Sequence, residues 1–411
     1  MAAPNRGSTN PLQPVLLSAY TMTSCLGRGL APTRAALLAG ASGLAPCRFE
    51  TVELDTYVGE IAGVDAQALP AALARFDCRN NRAAELGLAQ DGFEAAVAAA
   101  VRRHGGERIG VFIGTSTAGI LQTELAYRRR ADGDGALPAD FDYLGTHNTF
   151  SVADYVRARL GLAGPCVAVS TACSSSAKVF ASAARLMEAG VIDAAVVGGV
   201  DTLCLTTLYG FNSLQLLSAQ PCRPYDARRD GISIGEAAAF FLLERAHPDA
   251  DPAAMALLGT GESCDAYHMS SPHPEGRGAR QAMEGALAAA GLAPDAIDYV
   301  NLHGTATPSN DAAEDIAVQA LFGARVPVSS TKGMTGHALG AAGAVEAVIS
   351  VLAIESGAIP GSPGTRSIDP KLGARYQLEG SRAQLTRVLS NSFGFGGSNC
   401  SLVFGRLRDA A

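Results

Sequence analysis

Two short patterns in this chain occur twice, in the same order. Ile109-Gly-Val-Phe-Ile-Gly114-Thr-Ser-Thr117 is echoed by Tyr299-Val-Asn-Leu-His-Gly304-Thr-Ala-Thr307, each an apolar strand followed by Gly-Thr-small-Thr. Val167-Ala-Val-Ser-Thr-Ala-Cys-Ser is then echoed by Val326-Pro-Val-Ser-Ser-Thr-Lys-Gly. Two echoes in register predict a duplicated half. Strands alternate with helical periodicity, so each half is expected to be α/β, with its functional loops gathered at strand ends. Residues far apart in sequence can then meet where the halves pack. The apolar pattern breaks at His247-Pro-Asp-Ala-Asp-Pro252. The predicted organisation is a loose polar tail over 1–13, an N-terminal half over 14–253 and a C-terminal half over 254–411.

Within that frame the chemistry concentrates in three loops. Val167-Ala-Val-Ser-Thr-Ala-Cys173-Ser reads as a short strand, a tight turn and a helix whose apolar face runs through Val179, Phe180, Ala183, Leu186 and Met187. A cysteine at a helix start meets free N–H groups and the positive end of the helix dipole, which predicts a thiolate nucleophile at neutral pH. Any one of nine cysteines is by itself more often a small core residue. Two histidine loops change the reading: Asn301-Leu-His303-Gly-Thr-Ala-Thr-Pro308, and Ser329-Ser-Thr-Lys332-Gly-Met-Thr-Gly-His337. Each sets an imidazole beside glycines that allow close approach of a ligand to the backbone. The apolar stretch His337 to Ile354 carries Glu346 and is expected to be a buried helix rather than a membrane span.

Composition excludes several function classes. The 411 residues carry a net charge of −7, which argues against nucleic-acid binding. Local basic clusters at Arg79-Asn-Asn-Arg82 and Arg128-Arg129-Arg130 remain candidate docking points for an acidic partner. An odd cysteine count without paired spacing, and no signal peptide, predict reduced thiols in a cytoplasmic protein. There is no Walker loop, no metal-ligand cluster and no dinucleotide fingerprint, so neither metal nor nucleotide cofactor is expected.

Taken with Thr23-Ser-Cys-Leu-Gly27, Gly198-Gly-Val-Asp201, Arg223-Pro-Tyr-Asp226, Arg229-Asp-Gly231 and Asn391-Ser-Phe-Gly-Phe-Gly-Gly-Ser-Asn399, these loops resemble the β-ketoacyl-acyl carrier protein synthases, condensing enzymes of the thiolase superfamily. The resemblance implies the thiolase fold, with duplicated βαβαβαββ halves in a five-layered α-β-α-β-α architecture. It implies a dimer, either a homodimer or a heterodimer with a homologous ketosynthase or chain-length factor. The implied reaction is a ping-pong Claisen condensation on the phosphopantetheine of acyl carrier protein, with no other cofactor. Cys173 would carry the acyl chain, and malonyl-carrier protein would lose carbon dioxide to give the attacking carbanion. A thioester intermediate suits a soft thiol, and two neutral imidazoles, His303 and His337, would stabilise the enolate. The resemblance further assigns Lys332 to site electrostatics, paired with Glu314, and an oxyanion hole to the N–H groups of Cys173 and Phe395, the latter also a gate. Thr117, Thr305, Thr307 and Phe393 fall at substrate-binding positions. Asp311-Ala-Ala-Glu314 also reads as a capping box for the helix that follows.

Some positions depart from housekeeping fatty-acid members. Thr117 stands at the far tunnel wall where an apolar residue or glycine is usual, Gly145-Thr-His-Asn-Thr-Phe-Ser151 is polar, and Gly235-Glu-Ala-Ala-Ala239 lacks a second glycine. These departures resemble synthases of aryl polyene and related pigment pathways. Ordinary fatty-acid elongation and a non-catalytic chain-length partner are the alternatives. A degradative thiolase would need a second cysteine in a Cys-x-Gly setting, which Cys400 lacks.

Overall fold

A computed structural model describes residues 12–407. Residues 1–11 of the expected tail lie outside them. Ten of the twelve strands in one sheet organise the chain: β1 (Val15–Ser24), β2 (Ile109–Gly114), β3 (Cys166–Val169), β4 (Ala194–Asp201), β5 (Ala237–Arg245), β6 (Met255–Cys264), β7 (Tyr299–Asn301), β8 (Pro327–Ser329), β9 (Arg387–Gly394) and β10 (Ser398–Arg406), the other two being the two-residue strands Gly27–Arg28 and Arg375–Tyr376. From the middle outward one side runs β1-β5-β4-β2-β3 and the other β6-β10-β9-β7-β8. Adding five to each label of the first side gives the second. Orientation follows the same rule: β1/β5 and β5/β4 are antiparallel while β4/β2 and β2/β3 are parallel, as are their counterparts. Even the irregularities correspond, because β1 shifts register between Leu17 and Ala19 and β6 between Leu257 and Gly259. A short antiparallel pairing, Val15 with Leu257 and Leu16 with Ala256, joins the two sides.

Helices fill both faces. α1 (Arg79–Leu88), α2 (Phe93–His104) and α3 (Ser151–Arg159) cover the outer face of the first side, and α5 (Arg277–Ala290) with α6 (Pro308–Phe322) the outer face of the second. Between the sheets lie α4 (Ser175–Glu188) and α7 (Ala342–Ser356). This is the α-β-α-β-α order of the thiolase fold. α7 is apolar on every side, as a helix between two sheets must be, with Val345, Val348, Ile349, Val351 and Leu352 all buried. Among the described residues, Leu339–Ser356 is long and apolar enough to cross a membrane, but 89% of it is buried inside the fold. The helix also starts later than its hydropathy suggests. His337 lies outside it, because Gly336 at φ 71° and Leu339 at φ 48° break the chain before Ala342.

The two central helices meet at their N-terminal ends. A Cβ on Gly343 would lie 2.6 Å from the Ala177 nitrogen, so only glycine permits this approach. Ser176 Oγ accepts from the Ala344 N–H at 2.9 Å. That packing draws together the loops that precede the helices, one carrying Cys173 and the other His337.

Candidate active site

Cys173 sits two residues before α4, at the end of a turn in which Ala172 takes φ 52°. A left-handed non-glycine residue costs about 1–3 kcal/mol and persists only where its surroundings enforce it. Here the enforcement is local: Ser175 Oγ accepts from the Thr171 N–H at 2.9 Å and donates to the Ala172 carbonyl at 2.5 Å. The turn projects the sulfur toward the second half, where it meets His337 Nε2 at 3.0 Å.

The expectation of a resting thiolate is overturned. Cys173 is buried, and burial pushes its thiol up to about 12, with Lys332 and the Phe395 N–H acting in the opposite direction but losing. Desolvation of the anion outweighs the helix dipole. The imidazoles go the other way: burial, then the Lys332 charge, holds both His303 and His337 well below the usual histidine range. The resting site therefore holds a neutral thiol facing two neutral rings.

His303 follows β7 by two residues, and its ring stands edge-on to that of His337, 5.3 Å between centroids. Lys332 Nζ lies 3.4 Å from His303 Nδ1 and also donates to the His303 carbonyl. An ammonium can only donate, so Nδ1 must accept and the ring proton is on Nε2. His337 differs, for its Nδ1 is buried without a partner. That ring is left free to hold its proton on either nitrogen.

Lys332 does not pair with Glu314. Its carboxylate partner is Glu346, on α7, and the two side chains are only 2% and 3% exposed. Burial holds the Glu346 carboxyl above its ordinary range in spite of Lys332. Glu314 accepts instead from the backbone N–H groups of His303 and Gly304, both at 2.8 Å, from Tyr225 Oη at 2.5 Å and from Asn391 Nδ2 at 3.1 Å. It fixes the histidine loop rather than the lysine. The capping box is also corrected: α6 begins at Pro308 with Thr307 as its cap, and Asp311 folds back onto the N–H groups of Thr305 and Ala306.

Cys173, His303 and His337 open on one cavity whose lining includes Thr305, Thr307 and Phe393. Phe395 closes its edge, packed against Phe211 at 5.8 Å between rings. Its loop comes close because a Cβ on Gly394 would strike the Thr171 carbonyl at 2.7 Å. Thr117 does not line this cavity. Its hydroxyl donates to Asp201 at 2.8 Å and accepts from the Thr202 N–H, so its polarity says nothing of the acyl chain. Asp201 also takes the Gly340 N–H at 2.6 Å, tying the first half to the loop after His337.

The ligand atoms of Cys173, His303 and His337 lie within 4.8 Å of one another, a donor set that could hold a soft metal ion. Metal-bound histidines ordinarily donate their second N–H to an acceptor. Here His303 Nδ1 faces an ammonium and His337 Nδ1 has no acceptor. The surroundings fit proton donors, not ligands.

Three of the four expected docking arginines are engaged elsewhere. Arg82 is held by both oxygens of Asp77 at 2.6 and 2.8 Å, Arg128 by Glu50 at 3.2 Å and Arg129 by Asp140 at 3.0 Å. Arg130 is exposed, and no ion pair is recorded for it among the described residues.

The β-ketoacyl synthase N-terminal domain matches residues 13–249, and the C-terminal domain matches residues 255–366. A fold of duplicated halves with a thiol and two neutral imidazoles at their junction agrees with that match: the chain belongs to the β-ketoacyl synthase family of condensing acyltransferases. Its relatives narrow the activity to β-ketoacyl-acyl carrier protein synthesis. The 3-oxoacyl-(acyl-carrier-protein) synthase 2 of Vibrio cholerae is 33% identical over 419 aligned positions, covering 96% of this chain and 99% of the relative. A chain from the structure of the ketosynthase ApeO in complex with its chain length factor ApeC, from Xenorhabdus doucetiae, matches with TM-score 0.86 and 38% identity over 97% of this chain and 99% of its own. A β-ketoacyl synthase from Burkholderia phymatum matches with TM-score 0.84 and 29% identity over 96% and 100%.

Proposed function

We propose that this chain is the catalytic ketosynthase of a pair, extending unsaturated acyl chains on acyl carrier protein beside a second chain of the same fold. The observation that carries the catalytic part is the contact of Cys173 Sγ with His337 Nε2. His337 takes the thiol proton as sulfur attacks the incoming thioester, and the departing carrier thiolate receives it. The N–H groups of Cys173 and Phe395 face the developing oxyanion. Phe395 then moves aside to admit malonyl-carrier protein. As carbon dioxide leaves, charge grows on the malonyl thioester oxygen, where His303 Nε2–H donates and His337 donates from its other tautomer. The enolate carbon attacks the acyl group on Cys173, the carbon–sulfur bond breaks, and the departing Cys173 thiolate takes up one proton from solvent.

Pairing is supported by the structural relatives, since two of them are ketosynthases recorded with chain length factors. It is supported as well by an open sheet edge: β3 ends the first side with Val167 39% exposed. Apolar surface at an unpaired edge is what a partner of the same fold would cover. A chain-length-factor role for this chain itself is disfavoured because nucleophile and both histidines are present. The unsaturated substrate rests on the polar segment Gly145 to Ser151. Its Thr146 and Ser151 hydroxyls donate to the backbone carbonyls of Asp142 and Gly145, both at 2.5 Å, so selection would act through the shape of the segment rather than through free hydroxyls. All nine cysteines are free, which suits a cytoplasmic setting.

Intact-mass measurement after incubation with saturated and polyenoyl carrier proteins of equal length tests this reading, on the chain alone and co-expressed with a partner. Loading on Cys173, lost in Cys173→Ala and favouring the polyenoyl series, is the expected result. Acylation of a different cysteine would overturn the mechanism, and preference for the saturated series would return the chain to ordinary elongation.

A further inference from the structure

The motif Arg223-Pro-Tyr-Asp226 with Arg229-Asp-Gly231 has no part in the chemistry described so far. At its centre Tyr225 is fully buried and takes φ 64°, a left-handed conformation that a bulky side chain ordinarily avoids. Such a residue persists only where its surroundings over-determine it. Here they do. The Tyr225 N–H donates to Asp311 Oδ2 at 2.7 Å, and the Tyr225 carbonyl accepts from the Asp369 N–H at 3.0 Å. Arg229 lies against both acids, 3.5 Å from Asp311 and 2.8 Å from Asp369. On either side of the tyrosine, Asp226 accepts from the N–H groups of Arg366 and Ser367 at 2.8 and 3.1 Å, and Thr365 Oγ1 donates to the Pro224 carbonyl at 2.7 Å. Asp311, Thr365, Arg366, Ser367 and Asp369 all belong to the second half, whereas the motif precedes β5 in the first.

What the strained backbone delivers is a phenol. Tyr225 Oη donates to Glu314 Oε2 at 2.5 Å, and the same oxygen accepts from the Gly304 N–H at 2.8 Å. The other carboxylate oxygen, Oε1, accepts from the His303 N–H at 2.8 Å and from Asn391 Nδ2 at 3.1 Å. The tyrosine ring also fills the space beside Gly304, where a Cβ would lie 2.8 Å from Tyr225 Cε2. Of the four donors that hold Glu314, three come from its own half. Tyr225 alone comes from the half that carries Cys173. It therefore ties the height of the His303 loop to the side of the site on which the acyl group is held.

We propose that Tyr225 is a positioning residue for decarboxylation: a strained clamp that, acting through Glu314, sets His303 where its Nε2–H meets the malonyl thioester oxygen. The proposal rests on the donor role of His303. A phenol suits this task because it donates one bond from the end of a rigid ring, while phenylalanine fills the same space and donates none. Acyl loading should not need the clamp, since the Cys173 sulfur faces His337 and neither residue is hydrogen-bonded to Tyr225 or Glu314.

The test is a double-mutant cycle on the full chain, with Tyr225→Phe, Glu314→Gln and both together, reading carbon dioxide release from malonyl-carrier protein and, by intact mass, acyl loading of Cys173. Tyr225→Phe should lower kcat for carbon dioxide release roughly tenfold, the scale of one hydrogen bond to a charged acceptor, with KM and loading close to wild type. The double variant should be no slower than Glu314→Gln, because a residue that acts through another adds nothing once that residue is changed. Release within twofold of wild type in Tyr225→Phe overturns the proposal. Additive losses in the double variant, or a parallel fall in loading and release, overturn it as well, the first by separating Tyr225 from Glu314 and the second by showing general damage. His303→Ala in the same assay reads the catalytic assignment by itself. A His303→Ala chain that still releases carbon dioxide at the normal rate overturns both readings, and an inactive one beside a normal Tyr225→Phe overturns this proposal alone.

Discussion

Replacing Glu346 by glutamine separates the two half-reactions. The Lys332–Glu346 pair is enclosed between the sheets, and removing one member of a buried pair costs about 3–5 kcal/mol, against a total stability on the order of 5–15 kcal/mol. Glutamine removes the carboxylate that anchors the Lys332 ammonium. An ammonium that turns away toward another acceptor no longer obliges His303 Nδ1 to accept, so the ring can carry its proton on Nδ1 and withdraw the Nε2 donor from the cavity. Loss of one such donor costs ~10²–10³-fold in rate, or about 2.7–4 kcal/mol. Acyl loading depends on the Cys173–His337 contact, which Glu346 does not touch. The expected outcome is loading near wild type, followed by mass, with carbon dioxide release from malonyl-carrier protein down by about two orders of magnitude. A folded Glu346→Gln protein that decarboxylates within a few-fold of wild type would refute the tautomer argument. So would a parallel fall of both steps, which would indicate general damage to the site.

Two further outcomes follow from the same geometry. With both imidazoles held well below the usual range, the nitrogen resonances of His303 and His337 should remain those of neutral rings through pH 6. The unfolded chain takes up those protons first, near ~6.5, so folding stability should fall as pH drops below that point while the site stays neutral; a ring titration near 6.5 would contradict the burial argument. Replacing Lys332 and Glu346 together, by Met and Leu, removes the ammonium without stranding a carboxylate and frees the His303 Nε2 lone pair, that of His337 being unconstrained already. Cobalt(II) should then give the absorption of a tetrahedral thiolate–imidazole site in the variant and not in wild type, and an equal band in wild type would show that Lys332 does not keep the cluster metal-free.

What was legible in the sequence was what short-range pattern encodes. The repeated strand–Gly-Thr-small-Thr unit foretold β2/β3 and β7/β8, which pair in parallel in both halves. Glycine placement marked the loops that must approach one another. The left-handed turn before the nucleophile was invisible because alanine, not glycine, occupies it, held there by Ser175. The protonation state of Cys173 was misjudged for a related reason: the helix start is local and visible, while the burial that overrides it comes from residues distant in sequence, among them Phe211 and Ile232 of the same half and His303 and His337 of the other. Glu346 did leave a signal, since a single carboxylate within an apolar helix cannot stay charged when buried unless a cation meets it. Lys332, on the loop that leads into that helix, was the available cation. The docking arginines show the limit of charge runs read linearly. Arg82 is answered by Asp77 five residues away, which sequence can suggest, but Arg128 is answered by Glu50, 78 residues distant, which it cannot. A basic run signals a binding surface only after such pairings are subtracted, and in the run at 128–130 the subtraction leaves Arg130 as the one arginine without an ion pair among the described residues.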